Sequence, residues 1–179
     1  IVPFRGAYLG LNPTPTPRVR GMIYPVPNPE LPFLGVHITK HINGEVSLGP
    51  TAMMVAARDA YSLGRISGRD TWESMTWPGT WRVARKYWRV GIEEMRMAAS
   101  RRAFVAAAAR YMPGLSVVDL DGTSHAGVRA QAVGRDGALV DDFVFCHDRG
   151  VTHLRNAPSP AATSAFALAR EIVDRVVPG

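Results

Sequence analysis

Residues 33–48 read FLGVHITKHINGEVSL, and this pattern predicts an antiparallel β-hairpin. Two runs rich in β-branched residues flank Asn43-Gly44, a dipeptide that readily takes the positive φ angles of a type I′ turn. Side chains alternate between the faces of a strand, so His37 and His41 share one face and Ile38 lies on the other. One face is therefore polar where an ordinary core strand would be apolar.

The chain before the hairpin is rich in proline, with NPTPTP and YPVPNPELP at residues 12–17 and 24–32. This spacing forbids helix and predicts ordered loops with edge strands. After the hairpin, residues 51–111 predict helices, beginning with TAMMVAARDAY. Ser67 or Asp70 is expected to cap a short helix, and Pro78 to begin a longer one.

The longer helix carries an apolar stripe at helical spacing, which we expect to face a core. The stripe consists of Trp81, Ala84, Trp88, Ile92, Met95 and Ala99. Five cations are expected mostly on the opposite side: Arg82, Arg85, Lys86, Arg89 and Arg96. Rings buried behind the cations could not stack on bases, which argues against nucleic-acid binding. Ser100 is expected to cap the next helix, which Pro113-Gly114 ends.

Beyond residue 115 the period changes to that of strands. AGVRAQAV, LVDDFVFC and VTHL predict three strands, with a turn at RDG, and a final helix follows from about residue 163. Cys146, in the apolar run FVFC, is expected to be a buried, inert thiol. The order of strands, helices, strands and helix predicts an α+β fold with a mixed or antiparallel sheet and long helices.

The composition of the 179 residues excludes several classes. An apolar share of 46% and a charged share of 20% exclude a disordered polymer, and no apolar run reaches membrane-spanning length. A net charge of +6 raises nucleic acid or an acidic small molecule as partners. No secretory signal is visible in the opening residues, so we expect a cytoplasmic protein.

Residues 153–172, HLRNAPSPAATSAFALAREI, place many small side chains at the start of the last helix. A helix start presents unpaired N–H groups and a positive dipole end, and small residues leave it open to an anion or an electron-rich carbonyl. The alternative interpretation is a closely packed corner between a strand and a helix.

Four segments in order resemble consecutive blocks of the FAD-dependent L-2-hydroxyglutarate oxidases and dehydrogenases, of the D-amino-acid oxidase and glycine oxidase superfamily. These segments are PFRGAY, IYPVPNPELPFLGVHITKHINGEVSLGP, AGVRAQAVGRDGALVDDF and HLRNAPSPAATSAFALAREI. Such proteins begin with a GxGxxG segment that binds the ADP half of FAD, and these residues contain none. The resemblance implies a C-terminal portion whose N-terminal FAD-binding half is missing.

The resemblance also implies a division of the chain. Residues 1–17 would enter from the FAD domain, 18–112 would form the substrate domain, and 113–179 would return to the FAD domain with a flavin-contacting helix. The helix start would then stabilise negative charge on the reduced flavin. The expected cofactor contacts are Asn156, Ala157, Pro158, Ser159, Pro160, Ala161, Ala162 and Arg5.

Arg129 and Gln131 point the same way from one predicted strand. The resemblance implies that both bind the substrate and that Arg129 binds the substrate carboxylate. The alternative for Arg129 is a solvated edge-strand residue. Oxidation of a secondary alcohol needs a base, for which His37 is the first candidate and His153 the second.

His41, His125 and His147 are given no role in the chemistry. His37 and His41 lack a third ligand at a telling spacing, so no metal is expected, and His125 and His147 are expected in loops. Two positions depart from the family, since Ala7 stands where glutamate is frequent and Thr51 where asparagine is common.

The predicted function is hydride transfer from a 2-hydroxy acid, most specifically L-2-hydroxyglutarate, to FAD in the complete polypeptide. The fragment alone is expected to be inactive. The alternatives are an FAD-dependent amine or amino-acid oxidase of the same superfamily and a non-catalytic basic binding module. Expected partners are a small dicarboxylate, the N-terminal FAD-binding half, an electron acceptor of unknown identity and no nucleic acid. Peripheral association with the inner membrane surface is an alternative to a purely cytoplasmic location.

Overall fold

The computed structural model describes residues 1–13, 18–26, 35–158 and 161–176. Its strands are β1 (Val2–Leu11), β2 (His37–Lys40), β3 (Val46–Gly49), β4 (Met53–Met54), β5 (Leu120–Val133), β6 (Leu139–Val140), β7 (Val144–Asp148) and β8 (Val151–Asn156). Its helices are α1 (Gly68–Thr76), α2 (Pro78–Lys86), α3 (Trp88–Ala99), α4 (Arg101–Ala109) and α5 (Ala165–Val176). The predicted α+β class is confirmed.

The large sheet is antiparallel and has the strand order β2-β3-β1-β5-β6, with β4 also paired to β1. A separate hairpin is formed by β7 and β8. The pairing of β1 with β5 places Gly6 opposite Gly127, with Phe4 opposite Arg129 on one side. This sheet contains strands from all three predicted segments, so they share one scaffold; the assignment of the segments to separate domains stays a prediction.

The predicted hairpin is present as β2 and β3, with Ile38 opposite Leu48. Its turn differs from the expected type I′, because only Gly44 of the Asn43-Gly44 pair has a positive φ, +87°. The Asn43 side chain instead accepts a hydrogen bond from the Glu45 N–H at 3.1 Å. This short-range bond stabilises a turn that needs a single residue with positive φ.

The main core lies on one face of the large sheet, beneath α4. Ile38 and Leu48 are fully buried there and pack with Phe104 and Ala108 of α4. Full burial of a leucine or isoleucine side chain stabilises the fold by about 2 kcal/mol. A smaller core, comprising Val2, Val83 and Val133, joins α2 to the beginning of β1 and the end of β5.

The helix expected to begin at residue 51 is wrong, because helix starts only at Gly68. Met53 and Met54 form β4 instead, and the Val55 N–H donates to the Pro3 carbonyl on β1 at 3.1 Å. Cross-strand bonds to β1 therefore replace the bonds that a helix would make within itself. The predicted caps are confirmed, since Ser67 accepts from the Asp70 N–H and Ser100 from the Ala103 N–H.

The expectation that the apolar stripe faces a core is also wrong. The predicted helix divides into α2 and α3 at Tyr87, and the stripe is largely exposed, with Trp81 60% and Trp88 55% exposed. The buried side of α2 is formed by Val83 and its neighbours. Arg89 lies over the Trp88 ring at 5.2 Å, so rings and cations share the solvent side. Because these rings are not buried, burial cannot exclude nucleic-acid binding. The absence of nucleic-acid binding stays a prediction.

The C-terminal strands differ from expectation in one place. The run LVDDFVFC is two strands, β6 and β7, interrupted at residues 141–143. Cys146 of β7 is exposed, which contradicts the expected buried thiol. The RDG turn is confirmed, with Gly137 at φ +85° and a bond from the Gly134 N–H to the Ala138 carbonyl. Helix α5 begins within two residues of the predicted position.

In the described ranges, each helix is too short or too polar to cross a bilayer.

Candidate functional site

A cavity of about 550 Å³ lies on the face of the large sheet opposite α4. Residues from five separate segments line it: Phe4, Gly6, Tyr8, His37, Pro50, Thr51, Ala52, Gly127, Val128, Arg129, Ala130, Ala157 and Pro158. Alternation along β1 explains why Phe4, Gly6 and Tyr8 line the cavity together, because every second residue of a strand points to the same face, whereas β5 contributes the consecutive residues 127–130. The cavity therefore brings together the predicted base, the predicted carboxylate-binding arginine and the start of the predicted cofactor loop.

His37 is held in one orientation at the beginning of β2. Its Nδ1 lies 3.1 Å from the Gly35 carbonyl oxygen, and its ring stacks on Tyr24 with centroids 4.3 Å apart. Because a carbonyl only accepts, Nδ1 must carry the proton and Nε2 the lone pair. Burial lowers the pKa of His37, against the smaller opposing effect of the Gly35 carbonyl. At neutral pH His37 is therefore an uncharged imidazole with a basic Nε2.

Arg129 lies on β5, directly opposite Phe4 of β1. Its guanidinium is 3.9 Å from the Asp141 carboxylate, a long and solvent-exposed ion pair. An exposed pair of this kind contributes at most about 1 kcal/mol. An arginine in this position can bind a carboxylate in bidentate fashion.

Two facing glycines form the middle of the cavity. Gly6 of β1 and Gly127 of β5 are cross-strand partners. A Cβ at Gly127 would meet no atom within 4 Å, whereas one at Gly6 would lie 2.7 Å from the Pro50 Cβ. The backbone of Gly127 is thus exposed to the cavity, and a ligand can approach it without meeting a side chain.

Tyr8 borders the cavity at the end away from Arg129. Its ring stacks on His125, its cross-strand partner, with centroids 4.8 Å apart and planes within 5°. The ring also approaches Gly49, where a Cβ would lie 2.8 Å from the Tyr8 Cδ1. His125, expected in a loop, is therefore a strand residue that positions Tyr8.

The wall formed by residues 50–52 is tied to both β1 and α3. Thr51 Oγ1 accepts from the Ala7 N–H at 3.0 Å, and the Thr51 N–H donates to the Ala7 carbonyl at 3.1 Å. The two positions that depart from the family are therefore hydrogen bonded to each other. The Ala52 N–H donates to the Glu94 carboxylate at 2.6 Å. Burial raises the pKa of Glu94, and the bond from Ala52 opposes this effect.

The predicted cofactor loop lies only partly within the described residues. Ala157 and Pro158 line the cavity, while Ser159 and Pro160 lie outside the described residues. Asn156 is buried, and its side-chain amide donates to the Val140 and Asp142 carbonyls. It therefore anchors the loop to the strands before it.

Helix α5 follows this loop after one turn. The Ala161 N–H donates to the Pro158 carbonyl at 2.9 Å, and Ala162 is exposed. At the beginning of α5 the Leu168 N–H donates to the Ser164 carbonyl at 2.9 Å. The small residues 161 and 162 thus lie between the cavity wall and the helix.

Three further sequence candidates do not line the cavity. Gln131 is 2% exposed, and its amide donates to the Ala132 and Val140 carbonyls. Arg5 alternates to the other side of β1 and donates to the Tyr61 carbonyl at 3.1 Å. His153 is exposed on β8.

Sequence reasoning missed Tyr8 and Gly127, and it identified Thr51 only as a departure from the family. Period two along β1 could have placed Tyr8 beside Gly6. The cross-strand register that brings both next to Gly127 is not visible in a single sequence.

Comparisons with known proteins identify the family of this chain. A family model described as FAD dependent oxidoreductase matches residues 1–175. L-2-hydroxyglutarate dehydrogenase of Nematostella vectensis, a mitochondrial protein, is 45% identical over 180 residues, which is 98% of this chain and 39% of the relative. The mitochondrial enzyme of the same name from Dictyostelium discoideum is 42% identical over 176 residues, 97% of this chain and 39% of the relative.

A bacterial relative gives the same result. L-2-hydroxyglutarate dehydrogenase of Escherichia coli K12 is 43% identical over 176 residues, covering 98% of this chain and 42% of the relative. The chain thus spans about two fifths of the length of these relatives. Because the family model covers nearly all 179 residues, the chain belongs to the family of FAD-dependent oxidoreductases.

Proposed function

We propose that this chain forms the substrate-binding side of an enzyme that oxidises L-2-hydroxyglutarate to 2-oxoglutarate with FAD. The observation that carries the proposal is the shared cavity of His37, Arg129 and the Ala157-Pro158 loop. The names of the relatives support the substrate. Since the chain spans only part of their length, activity belongs to the complete polypeptide, and the isolated chain is expected to be inactive.

His37 is proposed as the base for the substrate hydroxyl. Removing hydride from a carbinol carbon requires the hydroxyl proton to leave, and a neutral imidazole accepts it at Nε2. The bond from Nδ1 to the Gly35 carbonyl and the stacked Tyr24 ring hold this nitrogen in place. Protonated His37 keeps its Nδ1 bond, so its orientation is preserved after proton transfer.

Arg129 is proposed to bind the carboxylate next to the reacting carbon. Its long ion pair with Asp141 competes weakly with an incoming carboxylate. Gln131 and Asn156 both donate to the Val140 carbonyl, and we propose that they support the strands around the site. Arg5 donates to the Tyr61 carbonyl. A contact of Arg5 with the cofactor stays a prediction.

The cavity fits a flat ring. The small side chain of Ala157 leaves peptide groups accessible on the wall formed by the loop. We propose that Ala157 and Pro158, with Ser159, Pro160, Ala161 and Ala162 after them, hold the flavin against the loop. When bound, FAD accepts the hydride from the substrate carbon. The positive end of the α5 dipole favours negative charge beside it.

The remaining partners and the location form part of the same proposal. We propose an N-terminal half that binds the ADP part of FAD and an electron acceptor whose identity stays open. The complete enzyme is placed in the cytoplasm, with peripheral association at the inner membrane surface as the alternative. The exposed rings and cations of α2 and α3 are compatible with contact with a membrane surface.

Anaerobic flavin bleaching tests the proposal on the complete enzyme. L-2-hydroxyglutarate should bleach the flavin, while the D enantiomer, glycine and other amino acids should not. Bleaching by an amine or amino acid alone would favour the amine oxidase alternative. A protein that binds no FAD and whose affinity for nucleic acid falls steeply with salt would instead be the basic binding module.

A further inference from the structure

The proposed function leaves one end of the cavity without a role. Arg129 accounts for one carboxylate, but the proposed substrate carries two. Along β1 and β5, Phe4 and Arg129 form one rung of the sheet and Tyr8 and His125 another, four residues away. At about 3.3 Å per residue, the α-carbons of the two rungs are roughly 13 Å apart. Arg129 and Tyr8 both line the cavity, so a molecule with two charged ends can lie between their side chains.

The space between the two ends is open along the backbone. Gly127 lies on the rung midway between Arg129 and His125, and a Cβ there would meet nothing within 4 Å. A short aliphatic chain can therefore cross this rung in contact with peptide groups.

Tyr8 is packed closely at the far end. His125 stacks on its ring, and Gly49 lies close to its Cδ1 and Cα atoms. Gly49 has φ +144°, a conformation that favours glycine, and a side chain there would collide with Tyr8. A different orientation of the ring would lose the stacking on His125.

The Tyr8 hydroxyl can donate a hydrogen bond to a ligand. In the part of the chain that the structure describes, its hydroxyl makes no hydrogen bond. Burial raises the pKa of Tyr8, and the nearby Tyr24 raises it further. The hydroxyl therefore stays protonated at physiological pH and can donate to an anion.

We propose, on the basis of the proposed function, that Tyr8 donates a hydrogen bond to the second carboxylate of the substrate and so selects dicarboxylates over monocarboxylates. Hydrogen bonds to a charged group are stronger than neutral ones, which makes this contact a source of selectivity. A 2-hydroxy acid with an apolar end leaves the half-buried phenol unpaired. Such a substrate then gains nothing from Tyr8.

The test compares Tyr8→Phe with wild type in the complete enzyme, using L-2-hydroxyglutarate and the monocarboxylate L-2-hydroxybutyrate. The phenylalanine ring keeps the stacking on His125, so the fold should be retained. Tyr61→Phe, an exposed tyrosine outside the cavity, is the matched control. We expect Tyr8→Phe to lower kcat/KM about tenfold or more for the dicarboxylate and little for the monocarboxylate.

Calorimetric titration with glutarate and butyrate gives a readout that does not depend on turnover. Tyr8→Phe should weaken glutarate binding about tenfold or more and leave butyrate unchanged. Equal losses for both acids would overturn the proposal and indicate a positioning role, and no loss would overturn it as well. If wild type oxidises no 2-hydroxy acid, the proposed function fails, while the glutarate titration still decides the role of Tyr8.

Discussion

Alternate residues of the same strands lie on opposite faces of the large sheet, and the two faces differ sharply in composition. Toward α4, Ile38 and Leu48 are fully buried among apolar neighbours. Toward the cavity, the neighbouring positions are His37 and Gly49. The packed face contributes stability through burial, whereas the cavity face exposes groups that a packed core would exclude. Substitutions on the two faces should therefore have separable effects.

The largest effect is expected on the cavity face at His37. Replacing it with asparagine removes the proposed base and should lower kcat/KM of the complete enzyme about 10²–10⁴-fold. Since burial lowers the pKa of His37, the acid limb of the wild-type pH profile should fall below pH 6.5 and vanish in the variant. Steady-state kinetics between pH 5 and 8 measure both. His153→Asn, the other candidate base, should keep wild-type rates; a loss there instead would reverse the assignment.

On the packed face, Leu48→Ala should act on stability alone. Removing a fully buried leucine side chain from the core should lower the free energy of unfolding by about 2–5 kcal/mol. Denaturant unfolding measures this change, and kinetics at low temperature should show unchanged kcat/KM for the folded enzyme. Leu63→Ala, at an exposed position, is the matched control. A stable Leu48→Ala protein would contradict the division between the faces.

Gly127→Val should weaken substrate binding and leave stability unchanged, which is the opposite of the effect expected for Leu48→Ala. The valine would project into the open part of the cavity and should lower affinity for L-2-hydroxyglutarate about tenfold, the usual scale of steric crowding. Its backbone needs no glycine-specific φ, so melting temperature should hardly change. Gly21→Val also enters open space, but outside the cavity, and should be silent in both assays. Unaltered substrate binding by Gly127→Val would place the ligand elsewhere.

The smallest effect is expected at Glu94, behind the cavity wall. Burial raises the pKa of its carboxyl above the unfolded value, so the fold disfavours the ionised form, and stability is lost as pH rises through the folded pKa. Glu94→Gln can still accept from the Ala52 N–H, and it should raise the melting temperature by about 2 °C at neutral pH. The gain should shrink as pH falls toward 4.5. Exposed Glu93→Gln should show no such gain; a pH-independent effect at Glu94 would reject burial as the cause.

Local chemistry explains what the sequence could predict. The hairpin, the Ser67 and Ser100 caps and the RDG turn depend on contacts within a few residues. His37 was identified because it lies on the polar face of its predicted strand. Arg129 needed the family resemblance, since a single strand does not reveal what its arginine faces.

Tertiary pairing explains what the sequence could not predict. Residues 51–61 have a helix-like pattern, but the backbone of residues 51–55 bonds to β1. The stripe containing Trp81 and Trp88 has the correct period, yet periodicity alone does not tell which side of a helix meets the sheet. The pairing of Gly6 with Gly127 depends on strand register, which decides the floor of the cavity.

The central claim is that Arg129 binds a substrate carboxylate beside the proposed base. The most direct measurement is the anaerobic rate of flavin reduction against L-2-hydroxyglutarate concentration in complete wild-type, Arg129→Ala and Arg129→Lys enzymes, with Arg155→Ala as an exposed control. The account predicts that Arg129→Ala keeps its FAD but loses about 10²-fold or more in kcat/KM, with Arg129→Lys in between because it keeps charge without the bidentate geometry. If the flavin of Arg129→Ala is reduced at the wild-type rate at every substrate concentration, Arg129 does not bind the substrate carboxylate.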